Sequence, residues 1–145
     1  MIRAASVILM LALVACHPTP GSPTLYQDRA VQDAVADARA SLPVFFAAWQ
    51  SGADTYSDFR ATIILPTGAY GRDYEEVTNI RREFAGFMGE TASGEDVPFL
   101  VADIADWRFK DGEKYRGGYT RRAMFDMTDA DIPNLREQFH EEPLP

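Results

Sequence analysis

The spacing of the apolar residues changes partway along the chain, and this change constrains the fold more than any other feature. Over residues 28–49 apolar side chains recur every three or four positions, as on the buried face of a helix: Val31, Val35, Ala38 and Leu42. Pro43 interrupts the spacing because it lacks an N–H and clashes with the preceding turn. We therefore expect a helix to about Ala40, then a kink or a fresh helical turn that ends at Ser51-Gly52.

Beyond residue 58 the spacing becomes two, which is typical of a strand with one buried face. The alternating apolar residues are Phe59, Ala61, Ile63 and Leu65, followed by a turn at residues 66–68. Further strands are predicted over residues 74–80, 83–90 and 97–101, with Phe84 and Phe87 in one strand around Gly86 and a loop over residues 91–96.

Asp111-Gly112 is a strong two-residue hairpin signal between predicted strands at 104–110 and 113–125. Such a turn would place Lys110 opposite Glu113 and Trp107 beside Arg116, and Gly117-Gly118 would introduce a bulge. Thr128 then resembles the N-cap of a closing helix with an apolar face at Ile132, Leu135 and Phe139. The sum is an α+β domain: an N-terminal helix broken near Pro43, an antiparallel sheet of five or six strands, and a short C-terminal helix.

The first sixteen residues have the parts of a bacterial lipoprotein signal. A short basic start is followed by an apolar run from Ala4 to Val14, too short to span a bilayer, since that takes about 20 residues. The run ends in Leu13-Val14-Ala15-Cys16, which resembles a lipobox. Cys16 is the chain's one cysteine, so we expect cleavage after residue 15 and acylation of its thiol, with the lipid bilayer as partner.

The expected organisation is a signal peptide (1–15), an acylated Pro-rich tether (16–27), one domain (28–140) and a frayed tail (141–145). Nine extended residues from His17 to Leu25, at about 3.3 Å each, could hold the domain about 30 Å from the bilayer. His17, where retention at the inner membrane would favour Asp, indicates the outer membrane facing the periplasm. After processing no thiol remains for disulfides or thiolate catalysis.

Charge limits the partners. Cleavage removes one arginine and leaves 13 basic against 22 acidic side chains, a net charge of −9. Anionic headgroups and nucleic-acid phosphates repel such a chain, so we expect no nucleic-acid partner and attachment through the lipid alone.

The residues do not support the common catalytic sites. The two histidines, His17 and His140, lie in the tether and near the C-terminus, so neither a zinc site nor a Ser-His-Asp site can be assembled. We expect no metal, no cofactor and no assignable catalytic residue.

One group near the hairpin deserves a functional interpretation beside a structural one. Asp103 and Asp106 are three residues apart next to Trp107, with Tyr119 and Arg121 expected nearby. An acid pair beside an aromatic platform would suit a hydrolase or a glycan-binding site. In the structural interpretation, which we favour, Asp106 caps a turn or pairs with an arginine and Trp107 belongs to the core.

Two other groups carry the same ambiguity. Arg81-Arg82 and Arg121-Arg122 form either a basic patch for an anionic ligand or, as we favour, solvated ion pairs. The aromatic group Phe45, Phe46 and Trp49 is interpreted as core, and as an interaction surface only if it proves exposed.

The hairpin region also resembles the C-terminal signature of the YegJ-like bacterial proteins, a family known only as a domain of unknown function. The residues that carry the resemblance are Asp103 to Trp107, Asp111-Gly112, Gly118 to Arg121, Ala34 to Arg39, Leu42-Pro43, Phe46, Phe84 to Gly86 and Met127. It covers roughly residues 28–139 and departs at Glu75 to Thr78, where the family often has a Glu-His-x-Trp-like stretch. The resemblance implies a fold and no activity.

Three functions follow as hypotheses. The leading one is a non-enzymatic binding module at the cell envelope, with an envelope protein as possible partner. The alternatives are a carboxylate-based hydrolase or glycan-binding enzyme that uses Asp103 and Asp106, and a purely structural envelope component.

Overall fold

The structure is a computed structural model that describes residues 25–67, 71–127 and 136–140. Its elements are three α-helices, six strands and three short 3₁₀ turns. The predicted signal peptide, Cys16 and the start of the tether lie outside the described residues. Leu25 and Tyr26, predicted to end the tether, are buried in a 3₁₀ turn, so the folded domain begins before residue 28.

The two N-terminal helices meet at Ser41. Helix α1 (Arg29–Ala40) begins at Asp28, whose carboxylate accepts a hydrogen bond from Ala30 N at 2.8 Å. Helix α2 (Leu42–Ser51) starts afresh with Pro43 in its first turn, where a missing N–H costs nothing. It ends at Gly52 in a left-handed conformation. The break near Pro43 is therefore a new helix.

The six strands form one antiparallel sheet in the order β4-β3-β2-β1-β5-β6. Their bounds are β1 (Tyr56–Thr67), β2 (Gly71–Glu83), β3 (Gly86–Thr91), β4 (Asp96–Phe99), β5 (Ile104–Asp111) and β6 (Lys114–Gly117). Helix α3 (Tyr119–Met127) follows β6, and 3₁₀ turns lie at Val101–Asp103 and Arg136–Gln138. The α+β class is confirmed, with the sheet at the upper predicted strand number.

The main core lies between α2 and one face of the sheet. Phe45, fully buried on α2, packs against Trp107 and Phe109 of β5 and against Phe59 of β1. Phe46 and Trp49 are partly buried against Phe87, so this aromatic group belongs to the core.

A second cluster lies on the opposite face. It joins the N-terminal residues to α1, α3 and the sheet through Leu25, Tyr26, Val31, Val35, Ala105 and Met124. Helix α1 also packs along residues 104–107 of β5. This part of the strand extends beyond the pairing with β6. There Arg39 Nε donates to Ile104 O at 3.0 Å.

The predicted strand at residues 83–90 and the predicted hairpin at Asp111-Gly112 were both wrong in their bounds. Glu83 ends β2 and pairs with Gly86, so Phe84 and Ala85 form the turn and Phe84 is fully exposed instead of lying in β3. At the second hairpin Asp111 pairs with Lys114, which makes Gly112-Glu113 the turn.

The shifted turn changes every cross-strand pair beyond it. Lys110 faces Tyr115, not Glu113, and Arg116 faces Phe109, not Trp107. Strand β6, the second strand of this hairpin, ends at Gly117 instead of continuing to residue 125. Gly117 and Gly118 both have positive φ and lead into α3.

Phe139 and His140 lie along the edge of β6. Phe139 is buried, forms an isolated parallel bridge with Tyr115, and is followed by His140, whose N–H donates to Tyr115 O at 3.0 Å. The predicted closing helix falls largely on residues outside the described part, and its described end, Arg136–Gln138, is a 3₁₀ turn.

Candidate functional site

The carboxylate of Asp106 is buried and caps α3 from a neighbouring strand. Asp106 is 3% exposed; its Oδ1 accepts from Trp107 N at 2.8 Å and Tyr119 N at 3.1 Å. Its Oδ2 accepts from Thr120 N at 2.9 Å and from Thr120 Oγ1 at 2.6 Å. These donors include N–H groups that the first turn of a helix cannot satisfy internally.

Burial dominates the titration of this carboxyl. It raises the pKa of Asp106, and the hydrogen bonds from Thr120, Trp107 and Tyr119 offset that rise only in part. A general acid or base must also reach a substrate atom, and both oxygens of Asp106 already accept from the protein.

Trp107 is a core residue. It is 1% exposed, and its indole Nε1 donates to Ala38 O at 2.8 Å, which ties β5 to the end of α1. Its ring packs against Phe45 and Phe109. A sugar-binding platform requires an open aromatic face, so this tryptophan is placed for packing.

Asp103 serves a different part of the chain from Asp106. Its Oδ2 accepts from Leu100 N at 2.8 Å and stabilises the 3₁₀ turn that precedes β5. A small depression is lined by Asp106 but not by Asp103. The two carboxylates therefore do not form the acid pair that a hydrolase would need, and the geometry agrees with the structural interpretation.

The charged group that the structure does bring together lies on the face of the sheet opposite α2. We call it the arginine cluster: Arg60, Glu76 and Arg108 at its centre, with Asp58, Tyr115 and Arg121 around them. The depression next to Asp106 is lined by Arg60, Thr62, Glu76 and Arg108 among others.

Glu76 bridges the two central arginines. Arg108 contacts the Glu76 carboxylate with both terminal nitrogens: Nη1 lies 2.7 Å from Oε2, and Nη2 donates to Oε1 at 3.0 Å. Arg60 Nη1 donates to the same Oε1 at 2.9 Å. The Arg108 side chain is only 13% exposed, so its charge needs such a partner.

Asp58 reaches the cluster through an unusual backbone conformation. Its φ is +48°, and the pairing of β1 with β5 shifts between Ser57 and Arg60, which marks a β-bulge. The Asp58 carboxylate accepts from Arg60 Nε at 2.8 Å and from the Tyr115 hydroxyl. Burial alone would raise the pKa of Asp58, but these hydrogen bonds and the charges of Arg60 and Arg108 lower it.

Arg121 completes the cluster from α3. It follows Thr120, which is bonded to Asp106, and Asp106 is two residues from Arg108 on the same strand. Arg121 keeps much of its surface in solvent. Partial burial of its guanidinium group nevertheless lowers its pKa, and repulsion from Arg108 and Arg60 lowers it further.

The two arginine pairs of the sequence have separate surroundings. Arg81 pairs with Asp96 at 2.6 Å and with Glu83 at 3.6 Å, as expected for solvated ion pairs. Arg122 lies over the rings of Tyr119 and Phe139, while Arg121 faces the cluster. Tyr119 itself is half-buried with its ring against Trp107.

Sequence reasoning missed Arg60, Glu76 and Arg108. The signal was available in part, because Arg60 occupies a polar position of the alternating strand β1. Arg60 lies next to Arg108 only because β1 pairs with β5, and three other strands separate these two strands in the sequence.

Within residues 25–67, 71–127 and 136–140, no group of three or more His, Cys, Asp or Glu side chains is placed to hold a metal ion. Over the same residues no helix is long and apolar enough to cross a membrane.

The chain was also compared with known proteins. No protein-family model, no curated protein and no solved structure matches it. The candidate site therefore stands on its own geometry.

Proposed function

We propose that the chain is a membrane-anchored lipoprotein whose domain is a non-enzymatic binding module at the cell envelope. Acylation of Cys16 would supply the attachment, and the arginine cluster would supply the binding surface. The likeness to the YegJ-like proteins, which implies no activity, remains a prediction.

One observation carries the proposal. The two groups with the best claim to chemistry, Asp106 and Trp107, are buried and engaged with the protein's own main chain. By contrast, the arginine cluster is partly exposed, and in it Arg108 holds the carboxylate of Glu76 by forked hydrogen bonds. This division favours recognition over catalysis.

The anchoring half is tested by metabolic labelling with a palmitate analogue in a Gram-negative host. We expect the chain to incorporate the label and to fractionate with membranes, and Cys16→Ser to lose the label and accumulate as precursor. A Cys16→Ser chain that matures and fractionates normally would refute the anchor.

The binding half is tested by cross-linking in intact envelopes. We expect Arg121→Glu to lose a cross-linked species that the unchanged chain forms. Arg29→Glu, the same charge reversal at an exposed position of α1, should keep it. Equal cross-linking by the two variants would remove the arginine cluster from the binding role.

A further inference from the structure

The large apolar side chains exposed within the described part of the chain lie together at one end of the sheet. Phe84, in the turn between β2 and β3, is fully exposed. Leu100 and Val101, which directly follow β4, are 53% and 47% exposed. A Cβ added to Gly86 would lie 2.9 Å from Leu100 Cδ2, so Leu100 lies beside the turn that carries Phe84. We call Phe84, Leu100 and Val101 the apolar tip.

Neither turn chemistry nor packing explains why a phenylalanine occupies position 84. Two-residue hairpin turns favour glycine, asparagine and aspartate. Here the turn is Phe84-Ala85, closed by the pairing of Glu83 with Gly86, and it carries the ring outward into solvent. The nearby core position is already filled by Phe87, which is 7% exposed. Apolar side chains that are grouped in solvent in this way are typical of an interaction surface.

The chain that precedes the domain indicates what covers the apolar tip. Tyr26 stacks on Tyr74 of β2 with ring centroids 3.5 Å apart, so the N-terminal end of the domain lies near the start of that strand. From Tyr74 to Phe84 is ten residues, at most about 33 Å along a strand. The nine residues from His17 to Leu25 reach about 30 Å when extended. A bilayer that holds an acylated Cys16 therefore lies within reach of the apolar tip.

Charge does not supply the attraction between the apolar tip and a membrane. The chain has a net charge of −8. The carboxylates of Glu83 and Asp96, beside the turn, lie 3.6 and 2.6 Å from the guanidinium group of Arg81. Contact would instead come from the removal of apolar side chains from water. Three side chains bind weakly by themselves, but a short tether keeps the bilayer at a high effective concentration, so weak contact is sufficient.

We propose that the apolar tip inserts into the interfacial region of the bilayer that anchors Cys16, and that this second contact fixes the orientation of the domain on the membrane. Phe84 enters the boundary between headgroups and acyl chains, to a depth of about 5–10 Å. The turn between β3 and β4, at the opposite end of β3, faces away from the bilayer. The proposal rests on the anchoring half of the proposed function and adds a membrane-contacting surface to it.

The test uses the full acylated chain reconstituted in phosphatidylcholine vesicles whose acyl chains carry bromine, which quenches tryptophan fluorescence at short range. Phe84→Trp keeps an apolar ring at the tip, and the unchanged chain gives the background from Trp49 and Trp107. We expect the brominated lipid to quench about half or more of the emission that Phe84→Trp adds, as for a ring at the acyl boundary. Ala92→Trp, at an exposed position of the turn between β3 and β4, should keep nearly all of its added emission.

Two further measurements distinguish the bilayer from other occupants. Leu100→Ser in the Phe84→Trp chain should reduce the quenching, because it removes an apolar neighbour, whereas concentrated sodium chloride should leave the quenching unchanged. Equal quenching of Phe84→Trp and Ala92→Trp, or no quenching of either, would overturn the proposal. An emission shift of Phe84→Trp that grows with the protein-to-lipid ratio and ignores bromine would assign the tip to a second copy of the chain, and would also overturn it.

Failure of this proposal is distinguishable from failure of the proposed function. If Cys16 incorporates the palmitate analogue while Phe84→Trp is not quenched, the anchor stands and only the second membrane contact is wrong. If Cys16 incorporates no label, the anchor is wrong and the membrane contact of the tip is rejected with it. The dependence of cross-linking on Arg121 tests the arginine cluster separately from both.

Discussion

The carboxylate of Asp106 on β5 accepts hydrogen bonds from both the main-chain N–H and the hydroxyl of Thr120, at 2.9 and 2.6 Å. Both residues are buried, at 3% and 2% exposure. This contact fixes the start of α3 on the sheet. It also places Arg121, the next residue, in the arginine cluster, so a structural carboxylate positions a candidate binding residue.

Removal of this carboxylate should destabilise the fold strongly. Asp106→Ala would leave the Thr120 hydroxyl and the first N–H groups of α3 buried without their acceptor. We expect the free energy of unfolding to fall by about 3 kcal/mol, measured by urea denaturation. Asp103→Ala removes one acceptor at a less buried turn and should cost about 1 kcal/mol. Equal costs would contradict the capping role of Asp106.

Two glycines with positive φ, Gly117 before α3 and Gly112 in the turn between β5 and β6, provide a second test. Gly117 has φ of +81°, and a Cβ there would lie 2.6 Å from Cε3 of the Trp107 ring. Gly117→Ala combines backbone strain with this clash, so we expect a loss of about 3 kcal/mol or more. Gly112→Ala is the control: φ is +65° with nothing within 4 Å, and strain alone should cost about 1 kcal/mol. Thermal unfolding of both variants measures the difference.

The sequence predicted local elements better than their ends. Helix α1, β1 and the overall α+β class follow from apolar spacing, because one face of each element is buried. The predicted turn of the second hairpin was displaced by one residue. The Asp-Gly pair also fits a turn at Gly112-Glu113, in which Asp111 still pairs with Lys114. That shift moves each predicted cross-strand partner.

Sites that depend on the pairing of distant strands were harder to predict from the sequence. Asp106 was interpreted as capping a turn or pairing with an arginine, and it accepts from the first residues of α3. Its partner Thr120 was assigned to a strand, because Gly117-Gly118 is as typical of a bulge as of a strand end. The cluster of Arg60, Glu76 and Arg108 requires the register of three strands at once. Nothing in the local sequence specifies that register.

Acid should weaken the contribution of Asp58. Its pKa is lower in the folded chain than in the unfolded chain, so its stabilisation is complete above about pH 5 and is lost as pH falls through the folded pKa. Asp58→Asn removes the titration and suits the positive φ, which asparagine tolerates. We expect the stability difference between the unchanged chain and Asp58→Asn to shrink below about pH 4. Urea denaturation from pH 3 to 6 measures it; a difference that grows in acid would contradict the ion pairs.

The first hairpin turn makes a final prediction about two phenylalanines that sequence spacing assigned to one strand. Phe84 lies in the turn and is fully exposed, whereas Phe87 is 7% exposed and stacks on Phe46 and Phe99. Phe84→Ser should therefore change the free energy of unfolding by less than about 0.5 kcal/mol. Phe87→Ala should lower it by about 3–4 kcal/mol, because it opens a cavity between α2 and the sheet. Denaturation of the two variants side by side decides the register: a large loss for Phe84→Ser would place Phe84 in the core and move the turn.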